Sequence, residues 1–390
     1  MNEIIDLDAN ATTPLLPAAR DAMLALSGEP LGNPASAHAL GRRARKALED
    51  ARERIAARLG AQPDEVIFTS GATEANNLAL FGLAATAGRI LASPLEHPCV
   101  IEPLRQLEKC GAHLSWLPVT AAGCAELDSA LARPDTSLVA LQLVNHETGA
   151  IQPVREIASA FPRSVQFHTD AAQAAGKMPV NFRDLGVTSL AVSAHKFRGP
   201  AGIGALLLKR GTPLHPQVYG GHQQQGRRPG TESAMLAVGM VVALEYAVTH
   251  LAEHRAKLEL LCKRLWELLC QFAAPVVLNG PTIGSPHALP TTLNVSFPGC
   301  RGDLLLMALD LAGVACSTGS ACSSGSLLPS PVLAAMGAPD EVLRSAIRFS
   351  FGPELGLATM DDAVARIARA VHQVRGSPPV PAPAEGVKSE

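Results

Sequence analysis

The 390-residue chain has no apolar run approaching the roughly 18 residues that a membrane helix needs. Its start, Met1-Asn-Glu-Ile-Ile-Asp-Leu-Asp, is acidic and has no h-region, so no signal peptide is expected. Neither sign of charge is in excess: 33 Lys and Arg face 35 Asp and Glu, a formal charge of −2. That balance argues against a nucleic-acid partner or an anionic membrane surface, either of which needs a basic excess. No repeat at solenoid periods is present. The eight cysteines include no C-x-x-C pair, and a chain this long needs no disulfide staples. Lysine is scarce, with eight against twenty-five arginines. These absences lead to the expectation of a soluble cytoplasmic protein with neither a membrane nor a nucleic acid as partner.

What is present is globular: 47% hydrophobic and 17% charged residues, at a length that favours two domains or one large α/β domain. From Ser36 to Gly60 the apolar positions Leu40, Ala44, Leu48, Ala51, Ile55 and Leu59 recur every three or four residues. That spacing predicts an amphipathic helix capped by Ser36 and stopped by Gly60. Glu65-Val-Ile-Phe-Thr then reads as a buried strand, followed at Ser70-Gly71 by a second helix. Ser137 to Val144, Ser164 to Thr169, Ser189 to Ser193 and Ile203 to Leu208 also read as strands. Helical or loop stretches separate them, the signature of a mostly parallel, two-sided α/β sheet, with the last strand a candidate for antiparallel pairing. Thr231 to about Phe272 is helical without proline, as one long helix or two in tandem. Leu289 to Phe297, the segment around Cys316 and Ser345 to Ser350 build a smaller α+β unit. Residues 376–390 carry four prolines and no packing pattern, which predicts a disordered tail.

Three places carry chemistry. Ser70-Gly71-Ala72-Thr73-Glu74 sits between a strand and a helix start, where backbone N–H groups and the helix dipole suit a phosphate. It is neither G-x-x-x-x-G-K nor G-x-G-x-x-G, and taken alone it is better explained as a plain helix cap. Asp170 ends the strand Val165-Gln-Phe-His-Thr-Asp, where open α/β sheets bind ligands, or where an Asx cap starts a helix at Ala171. Lys196, in Ser193-Ala-His-Lys-Phe-Arg-Gly-Pro, is either a solvated strand-end lysine or a Schiff-base former whose amine is freed by partial burial. Together a phosphate cup, an acid for a pyridinium nitrogen and a lysine for an aldehyde are the parts of a pyridoxal phosphate site. Their order is that of the aspartate-aminotransferase-like fold. Most cysteines (Cys99, Cys110, Cys124, Cys262, Cys270 and Cys300) read as buried small hydrophobes. Cys316 and Cys322 lie in a small, polar stretch available for chemistry.

With these residues in view the chain resembles the cysteine desulfurases of the class-V aminotransferase group, in the branch serving iron–sulfur cluster assembly. The resemblance runs from Leu7-Asp-Ala-Asn-Ala-Thr-Thr-Pro through Ala346-Ile-Arg-Phe-Ser. Between them stand Gly32-Asn-Pro-Ala-Ser, Thr69-Ser-Gly-Ala-Thr-Glu, Glu96-His97, His168-Thr-Asp-Ala-Ala-Gln, Ser193-Ala-His-Lys, Arg228-Pro-Gly-Thr and Gly319-Ser-Ala-Cys-Ser. It implies a pyridoxal 5'-phosphate enzyme of fold type I: a large cofactor domain over 14–258, and a small domain of 1–13 with 259–375 that carries the cysteine loop. Ala72, Thr73, Ser193 and His195 would hold the phosphate, and Thr231 would reach the phosphate of the neighbouring subunit in a homodimer. Asp170 would pair with the pyridine nitrogen, and Gln173 would contact the ring hydroxyl. His97 would stack over the ring and shuttle protons, and Lys196 would link to the aldehyde. Arg348, with Asn33, would clamp the carboxylate of L-cysteine. Cys322 would take the sulfur as a persulfide and pass it to an acceptor protein such as an iron–sulfur scaffold. No metal is implied.

Two departures stand out. Where the family has Asn-Asn-Glu-x-Gly, this chain has Asn145-His-Glu-Thr-Gly, so either Asn145 or His146 makes the cofactor contact of the second Asn. Cys316 occupies a slot where serine is usual. Competing readings are an aminotransferase, a selenocysteine lyase, and a nucleotide-binding or scaffold module that leaves Lys196, Asp170 and Cys322 without purpose.

Overall fold

Strands of a sheet covered on both faces read as stretches of four or five residues buried on both sides. In the computed structural model, which describes residues 3–84, 88–128, 133–319 and 329–376, such stretches form the centre of the molecule. In chain order the strands are β1 (Ile5–Asp6), β2 (Val66–Thr69), β3 (Arg89–Ala92), β4 (His113–Trp116), β5 (Thr136–Ala140), β6 (Gln166–Asp170), β7 (Ser189–Ser193), β8 (Gly204–Leu208), β9 (Val277–Asn279), β10 (Thr292–Ser296), β11 (Val314–Ala315) and β12 (Ala346–Ser350).

Seven of these form one sheet in the order β2-β8-β7-β6-β5-β3-β4. All neighbours are parallel except at β8, which is antiparallel to both β2 and β7. Two reversals restore direction, so β2 runs the same way as β6 and β7, and the three C-terminal ends emerge on one side. Gly204 opens β8 in a slot with no room for a side chain. A Cβ there would stand 2.4 Å from the Val192 carbonyl oxygen and 2.7 Å from Gly71 Cα.

β2 is an edge strand, and its outer side is taken by Gln224. That side chain accepts from the Phe68 N–H at 2.6 Å and donates to the Phe68 carbonyl at 2.8 Å. Gln224 and Gln225 hold left-handed backbone angles, φ 51° and 62°, to present it.

Several expected bounds move. The first amphipathic helix spans Ala39–Leu59 and is capped by His38, not Ser36, because Ser36 closes a turn onto Asn33. Its stop at Gly60, φ 69°, is as expected. β5 ends at Ala140, before the expected Val144, since the side chains of Gln142 and Asn145 turn aside to donate to the Leu95 carbonyl. Asp170 is followed by turns in place of a helix. β3 and β4 are absent from the expectation: they are four residues long, and β4 is a polar-alternating edge.

The long helical stretch is two helices, Ala234–Thr249 and Leu251–Phe272, meeting at 70°. The bend comes where the chain changes cores. Ala237, Met240, Val241 and Leu244 pack in the core beneath the large sheet. Leu258, Leu261, Leu265 and Leu269 pack in a second core with Ile5, Leu7 and the three-stranded sheet β12-β10-β9. The N-terminal segment belongs to both. β1 pairs with β11, and then Thr13 N–H and Leu16 N–H donate to the carbonyls of His195 and Arg198 beside the large sheet.

Candidate active site

The helix Ala72–Leu83 begins directly after β2, so the backbone N–H groups of its first turn have no carbonyl of their own. Ser193, at the end of β7, brings its hydroxyl 3.5 Å from where a Gly71 Cβ would stand. Ala72, Thr73 and Ser193 therefore meet at one helix N-terminus, the arrangement an anion needs. His195 lies beside them, bonded to Thr12 Oγ1 at 3.1 Å. Burial, with Lys196 and Lys177 nearby, pushes its imidazole down to about 4, so it stands neutral at pH 7. The Arg228-Pro-Gly-Thr segment is tied to the same turn: Arg228 Nε donates to Glu74 Oε1 at 2.7 Å, and Ser70 N–H donates to Glu74 Oε2 at 2.6 Å. Thr231, three residues before the helix from Ala234, is exposed and lines a cavity with Ser70 and Arg228.

Asp170 is fixed through both oxygens. Ala172 N–H donates to Oδ1 at 2.8 Å, closing an Asx turn with no helix behind it, and Asn76 Nδ2 donates to Oδ2 at 2.7 Å. Since Asn76 turns its nitrogen to Asp170, its oxygen faces His168 Nε2 at 2.9 Å, and that nitrogen must carry a proton. His168 Nδ1 then takes the Ser189 hydroxyl at 2.9 Å, and burial holds this imidazole down to about 3. The chain Ser189–His168–Asn76 thus orients Asp170 with neutral groups only.

Lys196 is no solvated strand-end lysine. It sits in a 3₁₀ turn after β7 and donates to the carbonyls of Asn10 and Ala11 at 2.6 and 2.9 Å. Gln173 Nε2 donates to the same Asn10 carbonyl at 3.0 Å. His97 caps the helix Pro98–Lys109 by accepting from the Cys99 N–H at 3.1 Å through Nδ1. Burial lowers its affinity for a proton in spite of the nearby Asp170 charge. Its ring meets that of His146 edge-on at 5.0 Å. Glu96 beside it is buried, with its carboxyl held well above the ordinary range by burial even though Gln142 N–H donates to it.

The choice between Asn145 and His146 has a geometric basis. Asn145 Oδ1 accepts from Glu147 N–H, Thr148 N–H and the Thr148 hydroxyl, and its Nδ2 donates to Leu95 O. Its amide is spent on the turn. His146 instead faces His97 and has a buried Nδ1 without a partner. An orphaned buried donor or acceptor costs about 1–3 kcal/mol, and here it lies beside the convergence of Lys196, Asp170 and His97.

Arg348, at the centre of β12, is buried and half committed: Nη2 pairs with Asp8 at 2.7 Å and Nη1 donates to the His146 carbonyl at 3.1 Å. Its Nε has no partner. Asn33 is not brought to it. Its side chain closes an exposed turn by accepting from Ala35 N–H, and no described contact joins it to Arg348. Cys322 lies outside the described residues. On either side of it, Ser317 bridges to Arg348 through two backbone hydrogen bonds, and Ser330 donates to Glu147.

Sequence reading missed four participants. Asn10 and Asp8 reach the site from 163 and 340 residues away, a separation no local pattern reveals. Lys177 bonds Gln173 at i+4, which helical spacing alone did not single out. Cys99, read as a buried hydrophobe, has its sulfur 2.9 Å from His97 Nδ1 and 3.1 Å from Asn76 Nδ2.

Cys316 packs against the smaller core, where burial and the Asp8 charge push its thiol up to about 12 despite Arg348. On the order of 10⁻⁵ of it is then thiolate at neutral pH, against a few per cent for an unperturbed cysteine. Cys316→Ser is expected to keep alanine formation from cysteine within about twofold of the parent, read by steady-state assay. A loss of tenfold or more would make Cys316 a participant.

The aminotransferase class-V family matches this chain over residues 5–360. The chain is 42% identical over 359 residues to the cysteine desulfurase IscS of Dictyoglomus turgidum, with 90% of each protein covered. Among solved structures it is similar to a NifS-like protein, with a TM-score of 0.88 at 33% identity over 95% of this chain and 100% of that one. It is also similar to SspA solved in complex with cysteine, with a TM-score of 0.78 at 33% identity over 89% of this chain and 98% of that one.

Proposed function

This chain belongs to the class-V aminotransferase family and is a cysteine desulfurase, and from that premise we propose that it moves the sulfur of L-cysteine onto Cys322 with pyridoxal 5'-phosphate, leaving L-alanine. The observation that supports the cofactor most directly is the convergence, on one side of the sheet, of the helix N-terminus after β2, Asp170 at the end of β6 and Lys196 after β7. The orphaned Nδ1 of His146 fits the same group, since a ring hydroxyl would satisfy it.

In this reading Ala72, Thr73, Ser193 and His195 hold the phosphate, and Asp170 holds a proton on the pyridine nitrogen. Lys196 would offer its amine to the aldehyde, and Gln173 and His146 would hold the ring hydroxyl. The bound cofactor supplies an electron sink for the α-carbon of the substrate. His97, which accepts from the Cys99 N–H through Nδ1, would move a proton of the substrate. Arg348, pinned by Asp8 and the His146 carbonyl, has N–H groups left for the substrate carboxylate. The Cys322 thiolate attacks the substrate sulfur: an S–S bond forms, the C–S bond breaks, and its electron pair stays on carbon, where a proton completes the methyl group of alanine. The persulfide is then passed to an acceptor protein such as an iron–sulfur scaffold, in the cytoplasm. The division into a large unit, 14–258, and a small one, 1–13 with 259–375, belongs to this reading and is supported by the two separate cores.

The test is to feed L-cysteine and a reductant to the purified protein, which is expected to be yellow. Sulfide and alanine should appear in equal amounts. A colourless protein that takes up no pyridoxal 5'-phosphate would defeat the proposal, as would amino transfer without sulfide.

The reading also makes the protein a homodimer, with Thr231 completing the phosphate site of its partner. The exposed Thr231 and the neighbouring exposed apolar Val218 and Tyr219 support it. Sedimentation at micromolar concentration should give a dimer, and an active, cofactor-loaded monomer would contradict it.

A further inference from the structure

Two lysines reach the site, and only one has a part in the chemistry above. Lys177 Nζ lies 2.5 Å from Gln173 Oε1 and 3.1 Å from Asn10 Oδ1. Burial, with the charges of Lys196 and Arg348 facing it, holds its amine well below the ordinary lysine range. The environment therefore gives the ammonium little electrostatic reward, yet a lysine is placed there.

The polarity of the surrounding bonds is fixed by atoms with only one possible role. Backbone carbonyls only accept, so the Asn10 carbonyl compels Gln173 to turn its nitrogen inward at 3.0 Å. The His146 carbonyl does the same to Asn10 Nδ2 at 3.2 Å, which leaves Asn10 Oδ1 facing Lys177. Two amide oxygens thus converge on one amine, whose N–H groups donate to both. A side chain without donors at 177 would leave both oxygens short of a partner and remove one of the two bonds that hold the Gln173 amide, so that the Asn10 carbonyl alone would orient it.

We propose that Lys177 is a positioning residue that fixes the Gln173 amide with its N–H toward the cofactor ring, so that Gln173 donates to the ring hydroxyl oxygen in its anionic form. This rests on the pyridoxal 5'-phosphate reading above and adds to it the group that sets the sense of that hydrogen bond. Lys177 touches neither substrate nor cofactor and acts through Gln173.

The experiment is a pH titration of the visible band of the full-length, cofactor-loaded protein. A donor to the ring oxygen stabilises its anion, so its loss makes the site hold the titrating proton more tightly and raises the midpoint. Lys177→Met should raise it by about one pH unit, and Lys177→Arg, which keeps a donor-only cation, should stay close to the parent. The double variant Lys177→Met/Gln173→Met should move no further than Gln173→Met alone, because both changes remove the same interaction. An unmoved midpoint in Lys177→Met overturns the assignment. So do shifts that add in the double variant, or an arginine variant that shifts as far as the methionine one. Should the parent protein take up no cofactor, the underlying reading falls and this one with it. A loaded parent with an unmoved Lys177→Met midpoint sinks this inference alone.

Discussion

Lys196→Ala should lower alanine formation from cysteine by at least about 10³-fold, because it removes the only amine proposed to form a covalent link to the cofactor. Borohydride reduction of the parent followed by peptide mapping should place the reduced adduct on Lys196, and the variant should yield none. Retention of the fold is expected. The Asn10 carbonyl keeps its bond from Gln173 at 3.0 Å, so of the two carbonyls described as accepting from Lys196 the Ala11 oxygen is the one left to find water. The phosphate turn and Asp170 are untouched, so the variant should still bind the cofactor without the link. An adduct on Lys177 would redirect the whole assignment, since that amine is the other one at the site.

Cys322→Ser should be as severe and should fail at a different point. A hydroxyl does not make the S–S bond that accepts the substrate sulfur, so sulfide and alanine both fall below about one-thousandth of the parent. The spectral response to added cysteine should persist, since Lys196, Asp170 and Arg348 are unchanged. After a cysteine pulse and alkylation of thiols, intact and peptide masses of the parent should carry one extra sulfur atom on the peptide with Cys322. The same mass on the peptide with Cys316, with Cys322 unmodified, would overturn the assignment. Cys316 itself is a poor sulfur acceptor on electrostatic grounds: its thiol, pushed up to about 12, is almost never ionised at neutral pH.

Much of this arrangement was legible in the sequence because its parts are local. A strand ending in Asp170, a Ser-Gly before the helix at Ala72 and a lysine after β7 are each set by a few neighbouring residues, and the order of the three is enough to suggest the fold. What escaped reading depends on partners far along the chain. Asp8 pairs with Arg348 across 340 positions, and Asn10 collects Gln173 and Lys196 across 163 and 186. The roles of Asn145 and His146 separate only when each amide and imidazole atom is followed to its partner. β3 and β4 escaped for another reason: four residues with Arg89 at one end, or His113 and Ser115 in alternation, carry too little pattern to distinguish from loop.

The glutamine at the rim of the large sheet bears on how such a sheet is kept from pairing without end. An uncovered outer strand offers its peptide groups to any second chain, and repeated docking of that kind builds aggregates. At β2 the vulnerable peptide of Phe68 is closed on both sides by one side-chain amide, which imitates a neighbouring strand and yet exposes no further rung for another to join. The left-handed backbone at Gln224 and Gln225, usually unfavourable for residues other than glycine, turns that cap into place. The sheet ends there by being sealed, not merely by running out of strands.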